Sequence, residues 1–361
     1  MELFKDSWRV KGDVISALAA LTGTILWQPS EARLVRIPLR VNFKEGKTVS
    51  RVFQGIKPGF AFDEVIPSWN IDGAAGGAIK IELKTEQSGW LCVGEWSGDT
   101  SWMPRASVKG QKDEYASVST DTFRAKTLVD RVDLKVTLTQ NPAYTKPVRL
   151  KLLTLCFANT KTTKPEFQGA DSPLWGSLVD VPQRAQGNYP NGSVLCSATS
   201  TSMLLWHWSK VLNLPNMNKD VPEVEAAVWD PVYDGAGNWP FNTAYVGSME
   251  GMKACVSRLT SLQDLERLTR AGIPVACSVS FDMLRGKPLS KGESGHLVLC
   301  VGFRSDGTPI INDPAFKDGV RKTYPREDFE KAWCYSSRTV YLMVPDSVKL
   351  PADPHRVYTF R

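Results

Sequence analysis

The hydrophobic pattern changes period partway along the chain, so one layer of secondary structure cannot satisfy both halves. From about Arg36 to Asn159, apolar residues alternate with polar ones or gather in short runs rich in Val, Ile and Leu. VRIPLRVNF, AIKIELKT, GWLCVGEW, DRVDLKVTL and PVRLKLLTLCFA are the clearest cases. A period of two places successive side chains on opposite faces of a strand, and turns containing Gly, Asp and Lys separate these runs. No long amphipathic helix interrupts them. Residues 36–159 are therefore expected to form a β-sandwich of jelly-roll type.

NTKTTKPEFQGADSP has no apolar periodicity and reads as a linker, with 160–173 as its span. The texture then changes. CSATSTSMLLWHWSKVL places Met203, Leu204, Trp206 and Val211 at helical intervals, and SLQDLERLTRAG is a second helix ended by Gly272. Strands are expected at IPVACSVSF, GHLVLCVGF and TPIINDP, a short helix at REDFEKAWCY and a last strand at TVYLMVP. Helices first and an antiparallel sheet afterwards predict an α+β domain over residues 174–347. Residues 1–35 form an N-terminal segment without an assigned role, and 348–361 a polar tail. A length of 361 residues suits two domains.

Composition narrows the function classes. The net charge of +6 is spread without a block of five or six Lys and Arg, which argues against nucleic acid as a partner. Ile15 to Trp27 is apolar but too short, and too broken by Thr and Gly, to span a bilayer. Residues 1–13 mix acidic with basic side chains where a signal peptide wants a positive start, although Ser30-Glu31-Ala32 has the form of a cleavage site. Localisation is left unassigned, with secretion or the cell envelope open. GxxxxGK, HExxH and GxGxxG are missing from the sequence, so neither a nucleotide cofactor nor a metal is expected. Asp230, Asp234 and Asn238 in WDPVYDGAGNW lack the dense alternation of a calcium loop and read as a turn. Trp69, Trp90, Trp96 and Trp102 are read as core and rim packing in preference to a sugar-binding platform.

Seven cysteines include no CxxC pair, and six lie in apolar or mixed runs as small buried residues. The seventh, Cys196, opens a helix, where unpaired N–H groups and the positive end of the dipole favour a thiolate. Small residues Ser197 to Ser200 follow, leaving room for a sheet to approach. Of three histidines, His355 lies in the polar tail. His207 is eleven residues along the same helix, roughly 16 Å from Cys196, and flanked by two Trp as a packed structural residue. His296 remains. It starts HLVLCVGF behind Gly295, which is read as leaving space for close backbone approach. The return strand PIINDP brings Asp313 within about a residue pair of His296, with Asn312 on the opposite face as second choice. Trp239 and Asn242 are candidate cleft-lining residues.

VDVPQRAQ, CSATSTSM, SGHLVLCVGF and INDPA together resemble the papain-fold cysteine peptidases related to bacteriocin-leader processing peptidases, over Leu178 to Pro345. GNWPFNTAYVGS and RKTYPREDFEKAW are similar to a bacterial branch that carries an N-terminal β-domain. The resemblance implies a papain-like peptidase domain with Cys196 as nucleophile, His296 as base and Asp313 as its orienting partner. It also implies Gln186 beside the backbone N–H of Cys196 in the oxyanion hole, with Gln183 as fallback because GNYPNGSVL must loop out for Gln186 to reach. The relatives' Gly-Pro after the cysteine is Ser197-Ala198 here. The implied partner is a peptide or protein substrate, with a polymer- or protein-binding role of the β-domain left open. A transglutaminase-type acyl transfer through the same three residues and a catalytically idle binding protein are the alternatives.

Overall fold

The structure, a computed structural model, describes residues 30–165, 172–293 and 295–360. The Ile15–Trp27 stretch and part of the expected linker lie outside these residues. The N-terminal half holds β1 (Ala32–Arg36), β2 (Thr48–Ile56), β3 (Phe62–Asp72), β4 (Gly77–Lys84), β5 (Leu91–Ser97), β6 (Ala116–Ser119), β7 (Thr122–Val129), β8 (Val132–Gln140) and β9 (Arg149–Ala158). They form two antiparallel sheets in the orders β1-β9-β3-β7-β6 and β2-β8-β4-β5. Trp69 of the first sheet meets Trp96 of the second edge to face at 6.5 Å, both buried. Of the four tryptophans weighed as a sugar platform, these two are core. Trp90 lies under Lys84 and Lys135, and Trp102 donates its indole N–H to Ala75 O at 2.9 Å.

Sequence alone located strands either by alternation or by short apolar runs such as those of β5 and β9, which are buried on both faces. In β8 every second residue of VDLKVTLTQ is buried, the pattern of a half-solvated sheet. β3 is buried almost throughout, because the C-terminal half covers its second face, and it carries Pro67 opposite Leu155. Proline inside a run argues against a central strand, so β3 gives no strand signal. VRIPLRVNF yields a strand only at its start. Ile37 makes a last backbone bond to Leu153 O at 2.9 Å, and Pro38, lacking an N–H, cannot extend the pairing.

The C-terminal half contains β10 (Ser177–Leu178), α1 (Cys196–Leu212), α2 (Val221–Val228), α3 (Trp239–Gly247), β11 (Met252–Arg258), α4 (Leu262–Arg270), β12 (Val275–Val279), α5 (Phe281–Leu284), β13 (His296–Phe303), β14 (Pro309–Asn312), β15 (Arg321–Thr323), α6 (Arg326–Cys334) and β16 (Thr339–Pro345). The sheet runs β11-β16-β12-β13-β14-β15, with β10 paired to β13. This is the helices-then-sheet arrangement expected, with α2, α3, α5, β10, β11 and β15 added. Gly302 is required where β10 crosses β13, because a Cβ there would lie 2.0 Å from Ser177 O. No helix among the described residues is long and apolar enough to cross a membrane.

β11 is an edge strand, and an edge strand exposes a row of unpaired backbone groups. The N-terminal half covers this one with side chains. Asn70 Nδ2 donates to Ala254 O at 2.8 Å, Ala254 N–H donates to Asn70 Oδ1 at 3.0 Å, and Val256 N–H donates to Ser68 Oγ at 2.9 Å. Gly247 is the residue that lets Asn70 in, since a Cβ there would meet its side-chain nitrogen at 2.1 Å. The segment expected to be a tail also joins the halves. Arg356 O accepts from Leu34 N–H at 2.9 Å, Val357 and Tyr358 are buried, and His355 Nδ1 meets Thr260 Oγ1 at 2.8 Å. Asn70→Leu strands both backbone groups of Ala254 in a dry interface. It is expected to lower unfolding stability by about 2–5 kcal/mol in denaturant titration; a loss below about 1 kcal/mol would remove Asn70 as a link between the halves.

Candidate active site

The thiol, imidazole and carboxylate come from three places in the chain. Cys196 is the first residue of α1, and Ser197 to Ser202 are all buried, so the helix start packs closely on the sheet. Ser200 Oγ donates to Leu297 O at 3.2 Å and Ser197 Oγ pairs with Tyr341 OH at 2.8 Å, fixing α1 against β13 and β16. His296 opens β13. Gly295 before it has φ +80 and no close neighbour at its Cβ position, so it serves the chain reversal and not the tight approach read from the sequence.

A β-bulge decides which residue of INDPA faces the histidine. From the turn, Phe303 pairs with Pro309 and Gly302 with Ile310; past the irregularity, Cys300 pairs with Ile311 and Leu299 with Asn312. The second register, continued by one residue, sets Asp313 opposite Val298, on the same face as His296. Without the bulge the face would belong to Asn312. The side chains agree. His296 Nε2 and Asp313 Oδ1 are 2.8 Å apart, whereas Asn312 turns to Val181 O and accepts from Arg321 Nε at 3.0 Å.

Asp313 is further held by Ala315 N–H at 3.0 Å and by Tyr324, whose OH donates to Oδ2 at 2.5 Å. Tyr324 was not singled out from sequence; it sits in RKTYPREDF without a motif of its own. Phe281 covers the imidazole with ring centroids 4.7 Å apart. With Nε2 engaged by Asp313, Nδ1 is the ring nitrogen left to the thiol.

The charges follow from these contacts. Burial pushes the thiols of Cys92 and Cys156 up to about 11, Cys300 to about 12, and Cys255 and Cys277 well above their ordinary value. Burial also raises Cys196, yet its hydrogen bond to His296, the imidazolium charge and the N–H groups of Leu297 and Ser197 outweigh it, and the thiol falls below 9.0. His296 moves the opposite way: burial lowers it, but Asp313 and Cys196 raise it to about 9. Asp313, against burial, is held below the usual carboxylate range by His296 and Tyr324. The two shifts run in opposite directions, the sense that favours a thiolate beside an imidazolium.

Cys196 is partly exposed and opens into a cleft of about 690 Å³ with His296. Trp239 lines this cleft as expected. Asn242 does not: it is fully buried, donates to Ala236 O and Asn238 O, and accepts from Thr201 Oγ1, which makes it a brace within α3. Gln186 also departs from expectation. It is not among the residues lining the cleft, and its Nε2 donates to Gly192 O at 2.7 Å, bracing the turn before Cys196. Gln183 accepts from Arg321 N–H at 3.0 Å. Asp230 fills its carboxylate with N–H groups of Ser107, Val232 and Tyr233 and with Asn238 Nδ2, so WDPVYDGAGNW is a turn built around it. No metal-binding group of His, Cys, Asp and Glu occurs among the described residues. His207 is buried against Trp208, its ring 4.7 Å away, and burial lowers its pKa.

Replacing His296 by Ala removes the imidazolium but leaves the burial. The Cys196 thiol is then expected to rise above 9.0. Measured as iodoacetamide alkylation against pH, the wild-type limb should lie below that value and the His296→Ala limb above it. Coincident limbs would dissolve the ion pair.

Both halves have counterparts among known proteins. The family described as Peptidase C39 N-terminal domain matches residues 29–158, and the family described as Peptidase_C39 like matches residues 178–341. No curated protein gives a match. The second match covers α1, β13 and β14, the elements that carry the thiol, imidazole and carboxylate, and it points to a cysteine peptidase type of function. Its two halves match, in this order, the N-terminal domain and the peptidase-like domain of C39-related bacterial peptidases.

Proposed function

We propose that the protein is a cysteine peptidase that hydrolyses peptide bonds through Cys196, His296 and Asp313. The observation that carries this reading is geometric: Cys196 at the start of α1 and His296 open into one cleft, and His296 Nε2 lies 2.8 Å from Asp313 Oδ1. The thiolate attacks the scissile carbonyl carbon and the electron pair moves onto the carbonyl oxygen. His296 then gives its Nδ1 proton to the leaving amine as the C–N bond breaks, leaving a thioacyl enzyme. Neutral His296 next takes a proton from water as that water attacks the thioester, and the thiolate leaves. Asp313, held by Tyr324 and Ala315, keeps the ring in place and stabilises the imidazolium in each half-reaction.

The Cys196 backbone N–H, at the helix start, is the natural donor to the oxyanion, a contribution of 10²–10³ in rate on the order of other such donors. The papain-like arrangement is supported by a helix-start cysteine packed on an antiparallel sheet that carries the histidine. The strand orders β1-β9-β3-β7, with β6 added at its edge, and β2-β8-β4-β5 support a jelly-roll for the N-terminal half.

Cys196→Ala is expected to lower turnover of a fluorescence-quenched peptide pool on the order of 10⁴-fold while leaving the melting temperature in place. Wild-type turnover should rise as Cys196 ionises below 9.0 and fall again near about 9 as His296 loses its proton. Turnover that survives in the alanine variant sinks the assignment; amide formation with an added amine in place of hydrolysis shifts it to acyl transfer.

A further inference from the structure

The cleft at Cys196 has a wall that the catalytic half does not supply. Ser119, Thr120, Asp121 and Thr122, the tip of the β6–β7 hairpin in the N-terminal half, line it opposite Gly295 to Leu297. Two features hold this tip in place. Asp121 is buried and accepts Trp239 N–H on Oδ2 at 2.7 Å, with Thr122 Oγ1 on Oδ1 at 3.0 Å. One hairpin residue is thereby fixed to the start of α3, whose Trp239 lines the same cleft. The connection that leads from β5 into β6 is fixed as well, because Ser107 N–H bonds Asp230 and the Arg105 guanidinium bonds the carbonyls of Trp229 and Ala226.

Thr120 is the second feature. It adopts φ +55, a left-handed conformation that a β-branched residue rarely takes. Gly or Asn would turn the hairpin with less strain, and such a residue persists where its surroundings over-determine it, often at a functional site. Here it sets a hydroxyl and a methyl group on the cleft surface, half-buried.

We infer that the β6–β7 hairpin tip is the distal wall of the substrate cleft, with Thr120 as a specificity-determining residue, so that the N-terminal half selects the peptide which Cys196 cleaves. The inference rests on the peptidase reading above. A peptide chain reaching Cys196 passes between the hairpin and the strand that starts at His296. Its side chain beside the scissile bond meets Thr120, and a change of a few atoms at such a wall alters selection by about 10–200-fold.

The test compares Thr120→Trp and Thr120→Gly with wild type, using two reagents on Cys196. Iodoacetamide reaches the sulfur without filling the cleft; a panel of tetrapeptidyl acyloxymethyl ketones fills it. Both variants should alkylate with iodoacetamide at the wild-type rate. Thr120→Trp should slow the best peptidyl reagent at least about tenfold and reorder the panel. Thr120→Gly should melt no lower than wild type, because strain is removed, and yet narrow the spread of rates across the panel. Should the tryptophan variant fail to fold, the glycine variant carries the same comparison. A panel whose ranking is unchanged in Thr120→Trp, or whose spread is unchanged in Thr120→Gly, overturns the inference, as does a wild-type panel that reacts without any ranking. A wild-type Cys196 that reacts with neither reagent overturns the peptidase reading itself.

Discussion

Three titratable groups share one small volume beside the cleft, and in the forms that their surroundings favour they are a thiolate, an imidazolium and a carboxylate. Desolvating each costs several kcal/mol, and a buried charge left without its partner is strongly destabilising. The alternation of sign makes the group tolerable. His296 stands between Cys196 and Asp313, so each anion faces the cation. One negative charge remains in excess, and the protein spreads it over N–H and O–H donors: the start of α1 for sulfur, Tyr324 and Ala315 for the carboxylate. Moving any one of the three would leave the others badly solvated, so helix, strand and bulge must be positioned together.

A second set of buried polar contacts joins the two halves. Their interface is polar at its key points and buried. The Arg258 guanidinium pairs with Glu64, and the Arg105 guanidinium sits among carbonyls and near Asp230, burial drawing it down to about 10. Arg338, fully buried, meets Glu330, Ser30, Thr260 O and Lys164 O, so one cation collects segments from both halves and from the connection between them. Directional bonds of this kind fix relative position more sharply than apolar contact, which tolerates sliding. A hairpin from one half can then stand at a fixed distance from a sulfur in the other.

Much of the C-terminal half was legible in the residues. The α1 helix begins at Cys196 as read, since small residues at its start and apolar ones at helical intervals are local signals. Strands β12, β13, β14 and β16 likewise follow from short apolar runs. β3 was hidden for a physical reason: covered on both faces, it does not alternate, and Pro67 speaks against a strand. Tyr324 gave no signal either, because a tyrosine's partner is known only when the loop carrying it is folded.

The sequence by itself singled out the candidate groups. One cysteine opens a helix, one histidine opens a strand, and an Asn-Asp pair ends the next, all properties of neighbouring residues. Only the tertiary structure decided between Asn312 and Asp313, because a single bulge at Gly302 moves every later side chain to the other face. It also withdrew Asn242 into α3, turned Gln186 onto Gly192, and brought Thr120 to the cleft. Those outcomes depend on contacts between residues far apart in the chain, which periodicity does not encode.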